Sequence, residues 1–174
     1  MPTHFEVFDL PPEYAVDRLE LERRYLELSK ATHPDRFVKA APRERLEALA
    51  RSQAVNDAYR VLKASVPRAE YLLAQEGRDV GAEGARAVKA DPALLMDMME
   101  RNEALDEARA DGDVARARAL GDEAEAAMAE VWAEVEAAFA SPTWRQPAEL
   151  EAQAQRLVKR RYLARLLEQL EGDG

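Results

Sequence analysis

The sequence contains no cysteine. That excludes disulfides, thiolate nucleophiles and cysteine-ligated metals. Its two histidines, His4 and His33, are too few for a multi-histidine metal centre. Seven glycines in 174 residues leave little material for phosphate-cradling loops. Aromatic residues make up 6% of the chain, so the core must be mostly aliphatic and alanine-lined. No run of about 18 apolar residues exists to span a membrane. The opening MPTHFEVFDLPPEYAVDR has no basic residue before Arg18 and no apolar h-region. It reads as neither a secretory signal nor an Arg-rich presequence, and the cytoplasm is the expected compartment. These absences remove most enzyme classes and leave a protein that acts through its surfaces.

What is present is a charged, helix-favouring chain. Charged residues make up 34% and hydrophobic ones 47%, with a net charge of -9. That mixture is too apolar for a disordered chain. The length allows one ordinary domain or two small ones. Glycine marks a division: none occurs in residues 1–76, and three fall in GRDVGAEG at 77–84. Charge divides there too. Residues 1–76 hold 12 basic and 13 acidic groups; residues 77–174 hold 13 basic and 21 acidic. The expected plan is an N-terminal domain over 1–76, a linker over 77–90 and a C-terminal domain over 91–174. Within the latter, residues 91–140 carry 4 basic against 14 acidic groups, and residues 145–170 carry 6 against 3. A basic last helix can therefore pack on an acidic pair.

The pattern is all-α. Asp17 caps a helix running to about Thr32, with Leu21, Tyr25, Leu28 and Thr32 on one face. His33-Pro34 ends it, because the residue before proline is pushed out of the α region. Pro42 suits the first position of a helix reaching about Lys63, with Val55, Ala58, Tyr59 and Leu62 inward. Pro67 opens one or two further turns before Gly77. Asp91-Pro92 starts a helix to about Ala110, and Asp111-Gly112-Asp113 turns the chain. Val114, Ala117, Gly121, Ala124, Met128, Val131, Val135 and Ala138 then form a heptad seam. Ser141-Pro142 breaks it, and Pro147 opens the last helix. Short loops between three helices predict a three-helix bundle or a long helical hairpin. The seam leaves oligomeric state open between a monomer and a weak dimer.

Two features carry function. The first is His33-Pro34-Asp35 between two antiparallel helix candidates. Alone, it is as readily an ordinary interhelical turn. The preceding helix, however, carries Arg18, Arg23, Arg24 and Lys30, and the following one closes on Ala58-Tyr59-x-x-Leu62. The second is the helix over 91–110. Leu94, Met98, Leu105 and Ala108 form one stripe, while Leu95 and Met99 lie about 100–140° away and Met96 beyond them. A bundle helix needs one apolar face of roughly 100°. The surplus beside Glu100 and Glu103 reads either as an exposed interface with an acidic rim or as a second core stripe.

Basic helix, His-Pro-Asp and Ala-Tyr-x-x-Leu, in that order behind FEVFDLPPEY, resemble a J-domain. Arg68-Ala69-Glu70-Tyr71-Leu72-Leu73, the run from Leu94 to Glu107 and Arg161-Tyr162-Leu163-x-x-Leu166 narrow the resemblance to the HscB family of J-type co-chaperones, over residues 4 to 170. The resemblance implies a J-domain followed by a C-terminal three-helix bundle. It implies a non-catalytic protein without cofactor or metal that stimulates the ATPase of an HscA/DnaK-type chaperone. It also implies delivery of the iron–sulfur scaffold protein IscU to that chaperone. By position, His33, Pro34, Asp35, Arg24 and Lys30 would face the chaperone. Leu95, Met96, Met99, Glu100, Glu103 and Tyr162 would face the scaffold. With no cysteine-rich zinc segment, the chain resembles the bacterial form. A generic J-domain co-chaperone with a different client remains the alternative. An enzyme built on His33 lacks a nucleophile, and nucleic-acid binding is opposed by the net charge.

Overall fold

A computed structural model describes residues 2–81 and 88–171. Residues 82–87 of the predicted linker lie outside them. Among the described residues there are seven α-helices and one 3-10 turn, in the order α1 (His4–Val7), α2 (Arg18–Thr32), the turn Pro34–Phe37, α3 (Pro42–Lys63), α4 (Ser65–Gln75), α5 (Pro92–Ala110), α6 (Val114–Ala140) and α7 (Pro147–Glu171). None is long and apolar enough to cross a membrane. The expected starts at Asp17, Pro42, Asp91-Pro92 and Pro147 all fall at helix N-termini. Two details differ. Residues 34–37, read as loop, wind into a 3-10 turn because Pro34 presets φ at its first position. Helix α4 begins at Ser65, so Pro67 sits inside its first turn, where a missing N–H costs nothing.

The chain packs as two compact units, 1–72 and 73–174. In the first, α2 and α3 form an antiparallel hairpin, with α1 against α3. Phe5, Phe8, Leu21, Ala48, Val55, Ala58, Leu62, Ala69 and Leu72 are buried. Tyr25 stacks on Tyr59 with centroids 3.9 Å apart and donates its hydroxyl to Asn56 Oδ1 at 3.1 Å, pinning the hairpin's register. Arg68 is a buried cation. It donates to the carbonyl of Leu62, which the end of α3 leaves without a helical partner, and its guanidinium lies 4.9 Å from the Tyr14 ring. This is the plan the J-domain resemblance implies.

The start of the first unit is tied down. Thr3 and Glu6 form a capping box on α1. The His4 backbone N–H donates to the Tyr71 hydroxyl at 2.9 Å, and its ring stacks on Tyr71 at 4.3 Å. Burial there lowers the imidazole pKa.

The second unit is a three-helix bundle. Helices α6 and α7 pair along their length, and α5 packs chiefly on α6. Most of the heptad seam of α6 packs inside this unit: Ala124, Val131 and Val135 are buried, and Gly121 lets Leu170 approach to 3.4 Å of where a Cβ would stand, while the seam's first member, Val114, is exposed. At the α6–α7 turn, Trp144 is buried edge-on to Phe139. Trp132, half-buried on α6, has the Arg160 guanidinium 5.9 Å from its ring. The described part of the glycine-marked segment is held to α7. Arg78 pairs with Glu151 at 3.0 Å, Arg161 donates to the Val80 carbonyl, and Gln155 Nε2 donates to the Lys89 carbonyl at 2.9 Å.

Candidate functional site

The tip of the α2–α3 hairpin is built by Pro34. It holds His33 in an extended conformation (φ −59°, ψ 129°), which stops α2 and aims the chain across the tip. His33 then caps the 3-10 turn: its Nδ1 accepts the Asp35 backbone N–H at 3.3 Å. A nitrogen that accepts carries no proton, so the neutral ring carries its N–H on Nε2. The Asp35 carboxylate is 3.5 Å from Nδ1 yet 85% exposed. Arg36 reaches back to the Lys30 carbonyl at 3.3 Å and fixes the turn to the end of α2. His33, Pro34, Asp35 and Lys30 therefore stand exposed together, with Arg36 and Lys39 beside them in sequence.

Arg24 does not join them. It is half-buried and donates to the carbonyls of Phe8 and Asp9, while its Nε meets Glu20 at 2.6 Å. Asp9 is the one described non-glycine residue in the left-handed region, φ 51°, and Arg24 ties that bend to α2. Its role in the fold is to hold α1. Arg23, its neighbour in sequence, is exposed, as are Arg18 and Lys30 on the same helix. With Arg24, Arg23 holds Glu20, chiefly by the Arg23 hydrogen bond, down to a pKa of about 2.

On the second unit, α5 separates its two stripes. Met98, Leu105 and Ala108 are buried, and Leu94 packs against the cluster formed with Ala124, Val131, Leu163 and Leu166. Leu95, Met96 and Met99 are exposed at 39%, 64% and 62%. Met96, Met99, Glu100 and Glu103 recur at i, i+3, i+4 and i+7, which puts them on one face. The helix is braced from within: Arg101 pairs with Asp97 at 3.0 Å, and the Asn102 side chain donates to the Met98 carbonyl. Of the two readings of the surplus apolar residues, the structure bears out exposure. Tyr162 is half-buried on α7 against the cluster that holds Met98.

Other surfaces are less organised. A cavity of about 330 Å³ lies between α1 and the outer face of α3, lined by His4, Val7, Ala50, Ala54 and Asp57. Leu19, Leu26, Val38 and Val114 are also exposed, as are Leu46 and Leu49, an i, i+3 pair on α3.

The chain is similar to known proteins along nearly its whole length. Residues 90–171 match the family model described as the HSCB C-terminal oligomerisation domain. The co-chaperone protein HscB homolog of Vibrio vulnificus is 36% identical over 169 residues, 97% of this chain and 94% of that one. That of Vibrio campbellii is 41% identical over 104 residues, 60% of each chain. Among solved structures, the chaperone HscB from Vibrio cholerae superposes with a TM-score of 0.72 at 31% identity, covering 99% of this chain and 97% of its own. The human co-chaperone protein HscB superposes with a TM-score of 0.74 at 27% identity, covering 99% of this chain and 82% of its own. With a curated relative 36% identical along almost its whole length, and the helices matched in space, the chain belongs to the HscB family of co-chaperones.

Proposed function

We propose that this co-chaperone works in the cytoplasm as a two-sided adaptor in iron–sulfur cluster assembly. The tip of the first unit engages an HscA/DnaK-type chaperone and stimulates its ATP hydrolysis. The α5 face of the second unit holds the scaffold protein IscU and presents it. The observation that carries this reading is the exposure of Leu95, Met96 and Met99 on the helix whose intervening Met98 is buried. A fold that needed those side chains only for its core would not leave them in water.

No nucleotide site is required for an ATPase to be stimulated. Binding need only favour the chaperone conformation that hydrolyses. Asp35 offers an exposed carboxylate, the geometry an arginine fork takes up in a bidentate pair. His33 and Pro34 present it on a fixed turn, so little ordering remains to be done on contact. Lys30, Arg36 and Lys39 add a positive field that speeds approach to an acidic surface. On α5 the aliphatic and thioether groups supply an adaptable apolar centre, and Glu100 and Glu103 supply a rim that selects basic neighbours.

The test is the steady-state ATPase of the chaperone with and without scaffold. His33→Gln is expected to abolish stimulation while leaving scaffold affinity, read by calorimetry, unchanged. Normal stimulation by His33→Gln would sink the chaperone half of the proposal. A scaffold that fails to bind the wild-type chain would leave a J-domain co-chaperone with another client.

A further inference from the structure

With no cysteine in the chain, methionine thioethers are its only sulfur. Those described fall in contrasting places. Met98 is 3% exposed in the bundle core, and Met128 is half-buried against the same cluster. Met96 and Met99 are 64% and 62% exposed, on the same helix as Met98 and within two residues of it. Access decides which thioethers a dissolved oxidant reaches.

We propose that Met96 and Met99 form an oxidation-sensitive switch on the α5 face, set by peroxide-class oxidants and reset by methionine sulfoxide reductase. The inference rests on the reading of that face as the scaffold-binding surface. In the forward step a sulfur lone pair attacks one peroxide oxygen. The S–O bond forms, the O–O bond breaks, and the departing hydroxide takes a proton to leave as water. Sulfur loses two electrons and peroxide gains them. In the reverse step a dithiol reductant supplies the two electrons, the sulfoxide oxygen leaves as water and the dithiol becomes a disulfide.

The consequence for binding follows from what the two groups do. A thioether at the centre of an apolar contact sheds its water at little cost. A sulfoxide is a strong hydrogen-bond acceptor, and burying it without a donor is unfavourable. The rim beside the pair offers carboxylates, Glu100 and Glu103, each four residues on from one of the methionines, and a carboxylate cannot donate. Both methionines sit on one stripe three residues apart, so either sulfoxide enters the same contact. The bundle itself has no stake in the change: Met98, Leu105, Leu163 and Leu166 pack beneath, and neither exposed thioether belongs to that cluster. The switch therefore acts on docking and leaves folding alone. Leucine at both positions would keep the face apolar but remove the sensitivity.

In the test, the full chain is treated with hydrogen peroxide, which is removed before any partner is added. Peptide mapping is expected to find Met96 and Met99 gaining one oxygen several-fold faster than Met98. Affinity for purified scaffold protein is expected to fall about tenfold or more, with an unchanged melting temperature. Reductase with a dithiol restores it. The variant M96L/M99L, compared only with itself before and after peroxide, is expected to change by less than twofold. Equal oxidation of Met98, an unchanged affinity after oxidation of both exposed residues, or the same loss in the double variant would each overturn the switch. A wild-type chain with no affinity before peroxide is added would overturn the scaffold reading, and the switch with it, at a step that identifies which failed.

Discussion

At the scale of single residues, two arginines show how much of a charged sequence serves the fold. Arg68 is 8% exposed and closes the end of α3 through the Leu62 carbonyl. Arg68→Met keeps the volume but removes the donor and the ring contact with Tyr14. It is expected to destabilise the first unit by about 2–4 kcal/mol, read by urea unfolding followed at the tyrosines. Restoring charge with lysine should recover only part, because an ammonium lacks the planar fork. His4 gives a pH signature. Burial lowers its pKa from 6.5, so the folded state resists protonation that the unfolded chain accepts. Above pH 6.5 both states are neutral and nothing is lost; as pH falls below that value, stability of the first unit is expected to decline. His4→Phe, which keeps the stack on Tyr71, should flatten the pH profile between 7 and 5; an unchanged slope would assign the effect elsewhere. Neither role was legible in the sequence. Arg24 reads there as one cation among several on α2, and its acceptors are carbonyls fifteen and sixteen residues away, which no periodicity encodes.

At the scale of elements, the sequence was most informative where capping chemistry is local. Asp17, Asp91-Pro92 and Pro147 mark helix starts because a side-chain acceptor or a preset φ acts within a few residues. Helix α5 shows the limit of that reasoning. Its two apolar stripes were both visible, but which one meets a neighbour depends on where α6 and α7 lie, which the α5 sequence does not encode. Only the Leu94–Met98–Leu105–Ala108 stripe has a partner. The stripes should respond oppositely to truncation. Leu95→Ala with Met99→Ala is expected to cost about 2–4 kcal/mol in scaffold affinity with little change in melting temperature. Met98→Ala is expected to cost about 2–4 kcal/mol in stability through the cavity it leaves. A fall in melting temperature for the first pair, without a fall in affinity, would mean that α5 was misread.

For the whole molecule, each compact unit carries its own candidate surface, an exposed ionic turn on the first and an exposed apolar stripe on the second. Under the proposed function, the first docks by that turn and the second by that stripe. Raising salt from 50 to 500 mM is expected to slow chaperone association markedly and scaffold association only slightly, measured as on-rates at a biosensor surface. Equal slowing would contradict that division. The order of motifs along the chain carried the all-helical plan and the family, whereas the edges of the two units follow from packing that motifs do not report. The segment read as linker from its glycines buries Val80 and binds α7 through Arg78 and Lys89. Both tryptophans, Trp132 and Trp144, lie in the second unit, and the first, with tyrosines at 14, 25, 59 and 71, has none. The protein thus carries its own pair of optical reporters. Emission excited at 295 nm follows the second unit alone, so its denaturation can be timed separately from that of the first unit with no label attached.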